Sequence, residues 1–274
     1  MSSIPRLGVG IGWRPEIDLT VERMAGVDFV EVVAEQLAPR HGLPESLRIL
    51  RERGMPVIPH GVGLSLGGAE PPRPERLEHL AACAELVDAP LVSEHVAFVR
   101  AGDLDAGHLM PVPRTWEALE VVAENVARAQ AALPVPLALE NVSALLEWPG
   151  DELTEERFLA ELVARTGVLL LVDVANVYNN QVNFGLSPEA FLDGLPLESL
   201  AYVHVAGGYA KDGVWHDTHT RAVPAQVHGV LAELCARVDP PGVLLEWDGD
   251  YPSDAALAAE LGRIRETTGR ARVG

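Results

Sequence analysis

The sequence predicts a (β/α)8 barrel folded as one domain over residues 1–274. Three observations lead there. Eight short β-rich runs alternate with helical stretches along the chain, the order of repeated βα units. Most of the runs are near-continuously apolar, as strands covered on both faces of a parallel sheet must be. A length of 274 residues, with 48% hydrophobic side chains and no linker-like tract, suits a single barrel with a large core.

Strands are expected over 7–13, 29–35, 56–63, 91–98, 136–142, 168–174, 200–206 and 243–247. Helices are expected between and after them, over 18–25, 44–53, 73–87, 114–131, 154–165, 188–193, 224–238 and 253–266. Thr154, followed by Glu155 and Glu156, and Ser187, followed by Pro188, have the chemistry of helix N-caps. Gly54 and Gly167 end helices just before a strand. The competing architecture, an open doubly wound sheet, normally carries a glycine-rich phosphate turn after its first strand. The glycines of Gly8-Val-Gly-Ile-Gly12 lie inside the first strand instead.

Composition narrows the partners. A net charge of −19 repels phosphate, which argues against nucleic acid and points to a basic partner. No run of about 18 residues is apolar and uncharged, so no membrane association is expected. Residues 1–6 hold neither an apolar secretion segment nor a cleavage site. The two cysteines, Cys83 and Cys235, fall in expected helices and read as buried structural thiols. A reducing cytoplasm fits. Trp116 and Trp148 are expected to pack helices on the barrel.

In barrels of this kind, chemistry sits where each strand ends. The second strand offers Glu31 and Glu35, the third His60, and the fourth Glu94 and His95. The fifth offers Glu140 and Asn141, and the sixth Asp173 with Asn176 three residues on. The seventh offers His204, followed in its loop by His216, Asp217 and His219, and the eighth offers Glu246 and Asp248. Any one of these is ordinarily a hydrogen-bonded strand-end residue. Their coincidence is not ordinary, because burying so many carboxylates together is prohibitive unless cations neutralise them. Imidazole with carboxylate suits iron, zinc or manganese rather than a thiolate metal. His60, His95 and one oxygen of Glu140 are expected to bind one ion. The other oxygen of Glu140, with Asp173, His204 and Glu246, is expected to bind a second. Asp217 and His219, two apart in an extended segment and so on one side of it, are expected to hold a third with Asn176. That third site should be the loosest, because an amide oxygen is a weak ligand.

The same residues carry a resemblance. Gly10-Ile-Gly-Trp-Arg-Pro15, Phe29-Val-Glu-Val-Val-Ala-Glu35, His60-Gly61, Ser93-Glu-His95 and Leu109-Met-Pro-Val-Pro-Arg-Thr115 follow one another along the chain. Leu139-Glu-Asn141, Asp173-Val-Ala-Asn176, His204-Val-Ala-Gly207, His216-Asp-Thr-His219 and Glu246-Trp247 continue the series. In this order the chain resembles the multinuclear non-heme iron-dependent oxidases, the family that includes the methanobactin-maturation enzyme. The resemblance implies a xylose-isomerase-like TIM barrel holding two or three iron ions on the residues named above. It implies catalysis around Glu140, Asp173 and His204, and an oxygen-dependent oxidation of a ribosomally made precursor peptide, most often at cysteine. It also implies a small leader-binding partner protein, a separate chain here. Two positions depart from the family's pattern: Asn183-Phe184-Gly185, where a histidine is usual, and Glu35-Gln36, where Glu-Asn is usual. Asn141 and Arg14 are candidates for substrate binding. Arg14 either clamps a peptide carboxylate or is salt-bridged at the mouth, and Glu35 either stands behind a metal ligand or pairs with Arg14.

Three other functions compete. A trinuclear zinc phosphodiesterase of the abasic-site endonuclease type shares the ligand order, but it has histidine where Asn176 stands and needs a phosphate-attracting surface. A divalent-metal sugar isomerase or epimerase shares Glu140, Asp173, His204 and Glu246, but gives His60, His95, Asp217 and His219 no role. A barrel that only binds metal or a peptide would not need so complete a ligand set.

Overall fold

The computed structural model describes residues 5–271; residues 1–4, within the segment read for a secretion signal, and residues 272–274 lie outside them. Eight parallel strands close into a barrel: Gly8–Trp13, Phe29–Val33, Val57–His60, Val92–His95, Leu137–Glu140, Leu169–Asp173, Leu200–Val205 and Gly242–Leu245. The first strand pairs with both the second and the eighth, which completes the ring. Helices fill the connections, and the last one, Asp254–Ala271, packs on the first and eighth strands. The fold class expected from the alternating pattern is therefore the one observed.

Parity along the strands explains the interior. Phe29, Ile58, Leu91, Ala138, Leu171, Tyr202 and Leu244 form a buried cluster inside the ring. Two residues further along each strand, and so on the same face, stand Glu31, His60, Ser93, Glu140, Asp173, His204 and Glu246. The barrel is thus plugged by an apolar layer and polar above it. The first strand contributes glycine instead of bulk. A side-chain carbon on Gly10 would meet the Phe29 ring at 2.5 Å, so the glycine series makes room for that ring.

Several elements differ from expectation. The fourth strand stops at His95, and residues 97–111 form an antiparallel hairpin, Ala97–Ala101 with Leu104–Pro111. A second hairpin, Tyr209–Lys211 with Val214–His216, follows the seventh strand. The helix Val174–Phe184 was not expected from its asparagine-rich sequence; Asp173 caps it, Oδ1 accepting from the backbone N–H groups of Ala175 (2.6 Å) and Asn176 (3.0 Å). Ser187 caps as expected, but the Thr154 side chain makes no cap hydrogen bond. Trp116 is not packed under its helix: it is 43% exposed, with Arg165 over its ring. No helix among the described residues is long and apolar enough to cross a membrane.

Candidate metal centre

Strand register brings the polar layer together. His95 lies beside Glu140 in the ladder, and Asp173 lies beside His204. Nε2 of His60 and Nε2 of His95 approach one oxygen of Glu140, Oε2, at 3.5 and 3.4 Å. On the other side, Nδ1 of His204 approaches Glu140 Oε1 at 3.4 Å and Glu246 Oε2 at 3.2 Å. Glu140 therefore faces two ligand groups at once, one oxygen to each. His60, His95 and Glu140 form one set whose donor atoms lie within 4.8 Å of one another, and Glu140, Asp173 and His204 form another. The first set has the residues expected for one ion; the second lacks Glu246, which groups instead with Glu31 and His204 and with Asp173 and His219.

A hydrogen-bonded chain beneath this layer sets which nitrogen each histidine presents. Nε2 of His204 and the hydroxyl of Tyr202 both donate to Glu31 Oε2, at 2.8 and 2.5 Å. Ser93 Oγ lies 2.7 Å from the Tyr202 oxygen and 2.8 Å from Nδ1 of His60. The Tyr202 proton is used on Glu31, so Ser93 must donate to Tyr202. Its oxygen is then free to accept the His60 Nδ1 proton. Nε2 of His60 is left with a lone pair toward Glu140, and Nδ1 of His204 is the nitrogen that would give up its proton to a cation, the forms metal ligands need. All five residues are buried. Glu94 serves His95 in the same way, with Oε1 at 3.3 Å from Nδ1, while its Oε2 accepts from the Leu64 N–H. Glu31 stood among the strand-end carboxylates in the sequence, but nothing there distinguished a supporting carboxylate from a ligand. It also lies within reach of His204 and Glu246 as a third such group.

The third expected ligand set comes together differently from expectation. His219 has a left-handed φ of 50°, so residues 217–219 are not an extended segment. The turn nonetheless brings His219 Nε2 to 2.9 Å from Asp217 Oδ1, while Nδ1 lies 2.9 Å from Asp248 Oδ2. Asp173, His219 and Glu246 form the cluster at this corner. Asn176 uses Nδ2 on the Asn141 carbonyl and leaves Oδ1 buried and unpartnered. Asn183, before Phe184, brackets the Trp215 backbone through both ends of its amide and so anchors the second hairpin.

Two residues expected to meet substrate are committed elsewhere. Arg14 is buried, with Nε on Asp248 (2.8 Å), Nη1 on the Trp13 carbonyl (2.9 Å) and Nη2 near Glu246 (3.3 Å). Its partners are Glu246 and Asp248, not Glu35, which instead accepts from the Val62 N–H. Asn141 spends both ends of its amide on the Asp173 backbone. These two side chains hold Glu246, Asp248 and the Asp173 backbone in place.

The electrostatics describe a site that has too many anions. Burial pushes Asp173 well above the usual carboxylate range, and Asp217 and Glu140 add to it. Burial opposes charge on His95 and His204, but carboxylates outweigh it: Glu140 and Glu94 raise His95 to about 9, and Glu31 and Glu140 raise His204 well above the usual range. His60, buried and facing His95, is pushed down to about 3. Protons thus stand where cations would. The unsatisfied atoms agree. Glu140 Oε2, Asp173 Oδ2, Asn176 Oδ1, His204 Nδ1, Asp217 Oδ1 and His219 Nε2 are buried without hydrogen-bond partners. Such groups are rare in a native interior, and these belong to the ligand sets just described. A set of imidazole and carboxylate donors with no thiolate fits iron, zinc or manganese.

Fold and site together define a (β/α)8-barrel protein with a metal-competent cluster at the C-terminal mouth. The profile of the RiPP precursor modification enzyme family MbnB/TglH/ChrH matches residues 8–269, and the chain belongs to that family. A UPF0276 protein of Streptomyces avermitilis is 57% identical over 99% of this chain, which spans 57% of that longer relative. A UPF0276 protein of Caulobacter vibrioides is 37% identical over 98% of both chains. Among solved structures, endonuclease IV from Thermus thermophilus aligns with TM-score 0.58 and 22% identity, over 94% of this chain and 99% of that one. The IolI protein with a bound zinc atom aligns with TM-score 0.62 and 15% identity, over 96% and 97%. These distant likenesses carry the fold alone.

Proposed function

We propose that the chain is a cytoplasmic iron-dependent, oxygen-using oxidase that modifies a cysteine of a ribosomally made precursor peptide, with a small separate protein presenting the leader. The observation that carries the metal part is the convergence of unpartnered buried donor atoms on Glu140 and its neighbours. Family membership supports the peptide part. His60, His95 and Glu140 would hold one iron, Glu140, Asp173, His204 and Glu246 a second, and Asp217, His219 and Asn176 would contribute to a third. Iron supplies the redox chemistry and oxygen activation that these side chains lack.

The remaining work falls to the chain itself. Glu140 keeps the two ligand groups at a fixed separation. The Glu31–Tyr202–Ser93 chain holds Nδ1 of His204 and Nε2 of His60 toward Glu140. Arg14 fixes Glu246 against rotation, and Asn141 fixes the backbone of Asp173. The apolar layer under them excludes water from below, so the open side faces the mouth, where a peptide enters. Glu140, Asp173 and His204 are the catalytic centre in this reading.

The test is aerobic incubation of the iron-loaded protein with a cysteine-bearing precursor peptide and its leader-binding partner. A change in peptide mass that requires both iron and oxygen is expected. Full activity with zinc in place of iron, or turnover without oxygen, would overturn the reading. The abasic-site nuclease alternative is disfavoured by the net charge of −19 and by asparagine at position 176.

A further inference from the structure

A second feature of the barrel mouth has no role in the metal centre. A cavity of about 460 Å³ opens among the loops that follow the third, fourth and fifth strands, the strands carrying His60, His95 and Glu140. Phe98, Val112, Val121 and Trp148 give it apolar walls. Into this apolar surface the chain places Arg100, whose side chain is only 7% exposed. Its contacts are poor: Nη1 is 3.5 Å from the exposed carboxylate of Glu70, Nη2 is 3.5 Å from the Pro71 carbonyl, and Nε is buried with no partner. A guanidinium offers five donors, and a buried one is ordinarily matched to a carboxylate in a fork. Two further cations, Arg73 and Arg76, stand near Arg100; Arg73 is paired with Asp103 at 2.8 Å, and Glu70 and Glu117 line the cavity.

The wall is also built to keep its shape. Ser65 adopts a left-handed φ of 60°, and its hydroxyl accepts from the Val99 N–H at 3.0 Å. Buried Asn125 donates to the carbonyls of Leu66 and Gly68, at 3.1 and 2.9 Å. A side-chain carbon on Gly67 would stand 2.3 Å from Val112, so only glycine fits there. Backbone strain and a buried amide held in one loop are features of a preorganised binding surface.

We infer that this cavity is a docking subsite for the peptide: a large apolar side chain fills it, and the carboxylate of an adjacent acidic residue pairs with Arg100. The identity of the ligand as a peptide rests on the function proposed above; the binding chemistry does not. The probe is N-acetyl-para-fluorophenylalanyl-glutamate amide, followed by fluorine NMR on the full-length metal-loaded protein without turnover. Wild type is expected to bind it, and the matching glutamine probe should bind about tenfold more weakly or worse, since a charge-assisted pair is lost. Arg100→Met should erase that difference, and Val121→Trp, which fills the cavity, should abolish binding with metal content unchanged. Failure of wild type to bind, equal binding of the two probes, or binding indifferent to Val121→Trp would overturn the inference. Free para-fluorophenylpropionate binding as tightly as the dipeptide would also overturn it, in favour of a small carboxylate. Probe binding without any peptide modification would sink only the proposed function.

Discussion

Tyr202→Phe removes one oxygen from the middle of the barrel and nothing else. The ring stays, edge-on to Phe29 at 6.1 Å, so packing is preserved. What goes is a 2.5 Å hydrogen bond to the Glu31 carboxylate and a 2.7 Å bond from Ser93, both in a fully buried setting. A bond to a charged group contributes about 1.5–3 kcal/mol and a neutral one about 1 kcal/mol. The variant should therefore lose about 2–4 kcal/mol, or roughly 5–15 °C in Tm for a chain of this size. The effect on metal should be uneven. His204 keeps its own bond to Glu31. Ser93, however, loses its acceptor, and its proton turns toward Nδ1 of His60. The His60 proton then moves to Nε2, the atom that faces Glu140. Affinity at the His60–His95–Glu140 group should fall about 10–100-fold, the usual consequence of losing an outer partner of a ligand histidine. Urea denaturation and metal titration measure the two effects. A Tyr202→Phe protein with wild-type stability and wild-type affinity at both groups would show that the chain beneath the ligands positions nothing.

Four further outcomes are expected. Glu140→Gln should lose both ions that share this carboxylate, measured by elemental analysis after gel filtration; retained metal would refute its bridging position. Arg14→Met removes the cation shared by Glu246 and Asp248, which keep His204 and His219 as partners, so it should destabilise by about 1.5–3 kcal/mol in denaturant titration. An unchanged midpoint would mean the pair is not formed. Metal loading should release protons, because His95, raised to about 9, must give up its charge before Nε2 can bind a cation. Affinity should therefore fall as pH drops below about 9. In the ion-free protein the stabilisation from charged His95 is complete below its ordinary value near 6.5 and lost as pH rises through about 9. Calorimetry in buffers of different protonation enthalpy reads the release, and absence of any buffer dependence would contradict it. Stepwise chelation should remove the ion near Asp217 and His219 first; simultaneous loss of all ions would refute that order.

The ring itself was legible because apolar β-rich runs alternate with helical stretches at regular spacing. Reading the end of each run also collected His60, His95, Glu140, Asp173, His204 and Glu246, and the structure shows why they meet: parity along a strand puts each of them on the inner face. The hairpins were not legible. Residues 97–111 continue the apolar tendency of the fourth strand past His95, and periodicity cannot mark where a strand leaves the barrel. The helix Val174–Phe184 was hidden by its asparagines, which favour turns locally but here have tertiary partners: Asn180 holds the backbone of Val142 and Ala144. For Arg14 the sequence left a substrate clamp and a salt-bridged mouth residue both open, and the structure has the salt bridges; the Asn141 amide is spent on the Asp173 backbone. Whether a polar group at a mouth meets substrate or a neighbouring ligand depends on a partner more than 30 residues away for Asn141 and 230 away for Arg14. No local pattern carries that.

The centre is built to two standards of rigidity, and the difference follows from where its parts come from. His60 and His204 reach it from opposite parts of the barrel wall, yet one hydrogen-bonded chain through Ser93, Tyr202 and Glu31 joins them. Moving either ring breaks that chain in a fully buried place, where an unmet donor costs about 1–3 kcal/mol. The side chains of Asp217 and His219 are instead 19% and 14% exposed, and they ride on a turn that starts where the second hairpin ends. These side chains are less enclosed than those of His60 and His204, so water reaches parts of them that it cannot reach on the ring. A site needing fixed spacing between two ions and a yielding third position would use strand ends for the first two and a loop for the last. In the proposed reading the division matches, and conformational freedom during turnover is expected on residues 217–219 rather than on the ring.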